Sequence, residues 1–126
     1  MAIDKRAIVD AKAEIHSTAD IGPGAIIDRG VVIGAGVRIM AYAHICKGTE
    51  IGEGTVVHMG AVVGHEPQDL SYKGQETFTK VGKNTVIREY VTIHRGAQEG
   101  TTTVVGDNNF LMAQCHLGHN CVTGNN

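Results

Sequence analysis

The sequence predicts an all-β solenoid, a parallel β-helix with an extruded loop, and three observations carry that prediction. An aliphatic residue stands at every sixth position over nine successive units: Ile15, Ile21, Ile27, Ile33, Ile39, Ile45, Ile51, Val57 and Val63. Glycine often follows it, as in "IGPGAI", "IGAGVR" and "IGEGTV". The chain holds seventeen glycines but only two Phe, three Tyr and no Trp, whereas most globular interiors lean on aromatic bulk.

A period of six matches neither the 3.6 of a helix nor the plain alternation of a strand. It matches short strands joined by tight corners. Three such units make a coil of about eighteen residues, and neighbouring coils stack at roughly the 4.8 Å spacing of paired strands. Ile15, Ile33 and Ile51 then share one inner column. Space beside the columns is narrow, and the position four after each aliphatic residue is small or slim: Ala25, Val31, Val37, Ala43, Thr49, Thr55 and Ala61. Gly, Asn and Asp near the corners suit backbone with positive φ.

The phase lapses after Val63 through "GHEPQDLSYKGQETFTK" and resumes at Val81, Ile87 and Ile93. Residues of about 64–80 are therefore predicted to include an extruded loop. A shorter break, "GAQEGTTT", precedes Val105, Leu111 and Leu117. Loops that leave a rigid scaffold commonly carry function. The length of 126 residues fits a single domain, 1–126. The chain stops at "TGNN" in mid-repeat with no terminal helix, which would leave an apolar interior uncapped, so a truncated chain is the expectation.

Composition narrows the function. The formal charge is −2 and the eleven Lys and Arg residues are scattered, which argues against a nucleic-acid partner. No apolar run is long enough to span a bilayer, and "MAIDKRAIVD" is charged where a secretory signal would be apolar; a cytoplasmic protein without membrane insertion is expected. Three cysteines cannot all pair within one chain, which fits a reducing compartment. Cys115 and Cys121, each four residues after an aliphatic position, read as small interior residues.

His16, His44 and His58 read as surface residues of a solenoid wall. "QCHLGHNC" is different, with His116 and His119 between two cysteines. Zinc could be held by such residues, but only two residues separate the pair. Acid–base chemistry fits better, because imidazole has a reference pKa of about 6.5 and can take a proton from a hydroxyl. A carboxylate helps such a base by fixing its tautomer and stabilising the imidazolium, and Asp69 in "PQDLSY" is the candidate. His94, directly after Ile93, is predicted to point out of the coil.

"PQDLSYKGQET", "IREYVTIHRG" and "NNFLMAQCHLGHNC", in that order, resemble segments of the UDP-N-acetylglucosamine O-acyltransferases that begin lipid A synthesis. These belong to the hexapeptide-repeat acyltransferases, whose solenoid is a left-handed parallel β-helix, an exception to right-handed crossovers. The resemblance covers the whole chain. It implies transfer of an (R)-3-hydroxyacyl group from acyl carrier protein to the 3-hydroxyl of UDP-N-acetylglucosamine, without cofactor, metal or acyl-enzyme. It implies His119 as general base, Asp69 as its partner, and His116, His94 and Gln68 as substrate contacts, with Tyr72 nearby. It also implies a homotrimer, and oxyanion-stabilising backbone, acyl-measuring coils and carrier-binding helices beyond Asn126. The chain departs from the family at Ser71, where a lysine usually follows "QDL"; Lys73 lies two residues on. Other readings are a non-catalytic β-helix scaffold or sugar-nucleotide-binding module, a γ-carbonic-anhydrase-like metal enzyme, and an N-acyltransferase of the same pathway.

Overall fold

Six-residue units leave room for only two or three extended residues between corners, and the strands have that length. The computed structural model describes residues 2–126. Its strands are β1 (Ala2–Ile3), β2 (Ile8–Val9), β3 (Glu14–Ile15), β4 (Asp20–Ile21), β5 (Ile26–Ile27), β6 (Val32–Ile33), β7 (Arg38–Ile39), β8 (His44–Ile45), β9 (Thr49–Ile51), β10 (Val56–Val57), β11 (Val62–His65), β12 (Phe78–Val81), β13 (Val86–Ile87), β14 (Thr92–His94), β15 (Thr102–Val105), β16 (Phe110–Leu111) and β17 (His116–Leu117). Every third strand pairs in parallel, giving three sheets: β1-β4-β7-β10-β13-β16, β2-β5-β8-β11-β14-β17 and β3-β6-β9-β12-β15. The fold is the left-handed parallel β-helix. Among the described residues no helix is long and apolar enough to cross a membrane.

Register explains where the chain departs from the coil. Asp20 pairs with Arg38, eighteen residues on. Val56 pairs with Val86, thirty residues on and twelve more than one coil holds; Val86 pairs with Phe110, twenty-four on and six in excess. The twelve are residues 66–77, between the end of β11 and the start of β12, inside the span where the repeat lapses. The strands on either side are longer than the repeat suggests, because β11 continues to His65 and β12 begins at Phe78. The six leave between β14 and β15.

Ile15, Ile33 and Ile51 stack as one column, extended by Val81 and Val105. Ala25, Val31, Val37, Ala43, Thr49, Thr55 and Ala61 are all buried beside the columns. Two of the buried threonines bond to the neighbouring coil: Thr55 Oγ1 donates to the Gly82 carbonyl at 2.7 Å and Thr85 Oγ1 to that of Gly106 at 3.1 Å. Corner residues adopt positive φ, glycine at some corners and Asn84, Asn108 and Asn120 at others. Gly64 has a further reason to be glycine. It sits at φ 90° in the register shift between Val63 and His65, where a Cβ would run into the Thr49 hydroxyl. Cys115 packs against the core as predicted. Cys121 does not: it is exposed, on the last described coil, where no neighbouring strand covers it.

Burial in the columns carries the stability, so truncation should cost according to depth. Ile45, with 0% exposure, predicts a loss of about 2–5 kcal/mol for Ile45→Ala. Ile8, 65% exposed, predicts less than about 1 kcal/mol for Ile8→Ala. Denaturant midpoints of the two variants check this; equal losses would contradict a core confined to the columns.

Candidate active site

The loop of residues 66–77 is tied down at its C-terminal side. Tyr72 Oη donates to the Gln75 carbonyl at 3.0 Å, the Lys73 amide donates to Gln75 Oε1 at 2.8 Å, and Gln75 Nε2 donates to the Ala97 carbonyl at 2.6 Å. Within it Asp69 Oδ1 accepts from the Ser71 amide at 2.8 Å and the Ser71 hydroxyl at 2.7 Å. These donors first of all, and then the neighbouring His119, hold the Asp69 carboxyl below the usual carboxylate range. Ser71, standing where the resembling family has lysine, therefore has a local task as donor to Asp69. Lys73 is exposed.

Asp69 Oδ2, left free by Ser71, lies 3.6 Å from His119 Nε2. His119 follows β17 on the corner, and its other ring nitrogen, Nδ1, is 3.1 Å from Asn120 Oδ1. That oxygen also accepts from the Ala97 amide at 2.9 Å, which fixes it as an acceptor. The Nδ1 contact must then be donated by the ring, so neutral His119 carries its proton on Nδ1 and keeps Nε2 as an acceptor. Sequence reasoning missed Asn120. Its signal is the six-residue spacing of left-handed corners, which puts Asn108, Gln114 and Asn120 in equivalent positions.

The remaining predicted residues separate into two groups. His94 and His116 come together, ring centroids 4.8 Å apart and edge to face. His94 leaves the coil after inward-facing Ile93, but it is only 6% exposed. The imidazole of His65 covers its other side at 6.1 Å, a neighbour visible only once the β11–β14 register is known. His94 Nδ1 is buried with no hydrogen-bond partner. His116 is exposed, its Nδ1 2.8 Å from Thr92 Oγ1. Gln68 is exposed and its side chain enters none of the described hydrogen bonds, so nothing in the chain draws it into either group.

One other set of donors converges, outside both groups. Asp28, His44 and Cys46 bring ligand-type atoms within 4.8 Å of one another. His44 Nε2 lies 3.1 Å from Asp28 Oδ1. Burial, and then the Asp28 charge, pushes the Cys46 thiol up to about 12, so near neutral pH it is a protonated thiol beside an imidazole–carboxylate pair, and poorly prepared to take a metal.

The family described as bacterial transferase hexapeptide (six repeats) matches residues 30–65. A curated UDP-N-acetylglucosamine O-acyltransferase of Synechocystis sp. is 56% identical over 62 residues, which is 49% of this chain and 22% of that one. The whole coil also superimposes on solved structures. A UDP-N-acetylglucosamine acyltransferase from Bacteroides fragilis matches with TM-score 0.94 and 43% identity, over 97% of this chain and 48% of that one. Along nearly its whole length the chain is similar to UDP-N-acetylglucosamine acyltransferases. The Acinetobacter baumannii member matches with TM-score 0.96 and 39% identity over 99% of this chain. The chain spans about half the length of these solved relatives.

His94 makes the site sensitive to acid. Burial foremost, then the positive charge that His116, His65 and His119 acquire, holds its pKa below the ordinary imidazole value. The unfolded chain thus takes a proton at this residue near pH 6.5 while the folded chain does not. Stability is complete above that pH and falls as pH drops through it. Unfolding free energy measured between pH about 7 and about 5 should fall more steeply for the wild type than for His94→Gln; parallel profiles would contradict the assignment.

Proposed function

We propose that this chain is the base-bearing part of an acyltransferase that moves an (R)-3-hydroxyacyl group from acyl carrier protein to the 3-hydroxyl of UDP-N-acetylglucosamine, the first step of lipid A biosynthesis. The observation that carries the reading is the approach of His119 Nε2 to Asp69 Oδ2 at 3.6 Å, in a chain similar along 97–99% of its length to enzymes named for that sugar nucleotide. A cytoplasmic homotrimer that binds both substrates, without membrane insertion, belongs to the same proposal.

The chemistry follows from the tautomer. His119, with its proton held on Nδ1 by Asn120, offers the Nε2 lone pair to the sugar hydroxyl. As the O–H bond breaks, the proton passes to Nε2 and the oxygen attacks the thioester carbonyl carbon. The imidazolium forms beside the Asp69 carboxylate, which is already ionised and held by Ser71, so the positive charge meets a fixed negative one. Collapse of the tetrahedral intermediate breaks the carbon–sulfur bond, and the leaving thiolate takes the proton back from Nε2. His116 is exposed, so it can hydrogen-bond to substrate; buried His94 packs against its ring, and His94 and the exposed loop residue Gln68 are the further substrate contacts of this reading.

The test is acyl transfer from a 3-hydroxyacyl carrier protein to UDP-N-acetylglucosamine, followed by product mass, for this chain and for His119→Ala. The expected outcome is that, wherever the wild-type form makes product, alone or joined to the coils implied beyond Asn126, the variant's rate is lower by roughly 10²–10⁴, the range for loss of a general base. Equal rates would overturn the base assignment. Sugar-nucleotide binding without turnover in either protein would favour a binding module instead.

A further inference from the structure

Away from His119 and Asp69, a groove of about 540 Å³ runs along the corner between the second and third sheets. Lys12, Arg29, Lys47 and Arg95 line it, against one carboxylate, Glu76. We infer that this groove is an anion site for a dianionic phosphate group.

Arg95 carries the argument. It is only 4% exposed, and its Nε donates to the Gly64 carbonyl at 2.8 Å. No carboxylate among the described residues forms an ion pair with it, and its two terminal nitrogens have no protein partner and open onto the groove. A charge this deeply buried is costly unless an opposite charge meets it. The coil register adds a second, independent strain. Ile27 pairs with Ile45, so Arg29 and Lys47, two residues further on, occupy the same corner of successive coils and stack like charges. Lys12 stands at that corner one coil below, its carbonyl accepting from the Gly30 amide at 3.2 Å.

Four cations and one carboxylate leave the groove three positive charges in excess. A single carboxylate would leave most of that uncompensated. A phosphate dianion offers several acceptor oxygens to a guanidinium fork and to flanking ammonium groups at once. Its source is either free phosphate or the phosphate of a nucleotide or phosphorylated sugar. The inference stands apart from the acyl-transfer reading, since none of these side chains is given a part in it.

The test is calorimetric titration of the full chain with inorganic phosphate at constant ionic strength, with chloride as the comparison, repeated for Arg29→Gln/Lys47→Gln and for His119→Ala. Arg29 and Lys47 are exposed, so the double variant keeps its fold, which its unfolding midpoint verifies. The expected result is saturable phosphate binding tighter than chloride, weakened by about tenfold or more in the double variant and unchanged in His119→Ala. Competition by UDP-N-acetylglucosamine would assign the site to a nucleotide phosphate, and its absence to free phosphate. Binding no tighter than chloride, or equal binding by the double variant, would overturn the inference. So would loss of self-association in the double variant without any phosphate binding, which would give the groove to a carboxylate of a second copy.

Discussion

The parallel backbone ladder between coils is the constraint on which the rest of the molecule depends. Each carbonyl and amide along a strand is committed to the coil above or below, as in the Asp20–Arg38 and Val56–Arg38 pairings, so a coil can hold eighteen residues and no others. Surplus residues can leave only at corners. Both surpluses leave at the same corner, between the second and third sheets: twelve between β11 and β12, and six between β14 and β15. His119 lies at that corner on the following coil. The register thereby delivers Asp69 and His119 to one place from fifty positions apart in sequence.

That constraint also explains what could be read before the structure. The columns were legible because each aliphatic residue repeats its role every six residues, and the small residues beside them repeat in step. The extruded loop was legible as a lapse of phase. The joining of Asp69 to His119 was not, because no periodicity reports how a loop folds back; the Asx-type turn around Ser71 and the Gln75–Ala97 anchor decide it. The role of Asn120 and the cover that His65 gives His94 were hidden for a related reason. Each depends on which residue of one coil stands over which residue of the next, and the two inserted segments shift that count. His94 was rightly directed out of the coil, but neighbours on the same wall bury it.

Electrostatics divides the same corner into two regions. At its upper end imidazoles gather, and one of them, His119, meets the Asp69 carboxylate. Below the loop the cations of successive coils stack with little compensation. A repeat scaffold makes both arrangements cheap to build, because a residue type placed at one corner position recurs in line every eighteen residues.

The central claim is that the loop brings the Asp69 carboxylate to His119. The most direct measurement is the imidazole nitrogen and proton resonances of all seven histidines in the wild type and in Asp69→Asn, a substitution of nearly equal shape. The account predicts a change concentrated at His119, with His16, on the first turns of the solenoid, unmoved. An unchanged His119 resonance in a folded Asp69→Asn protein would contradict it.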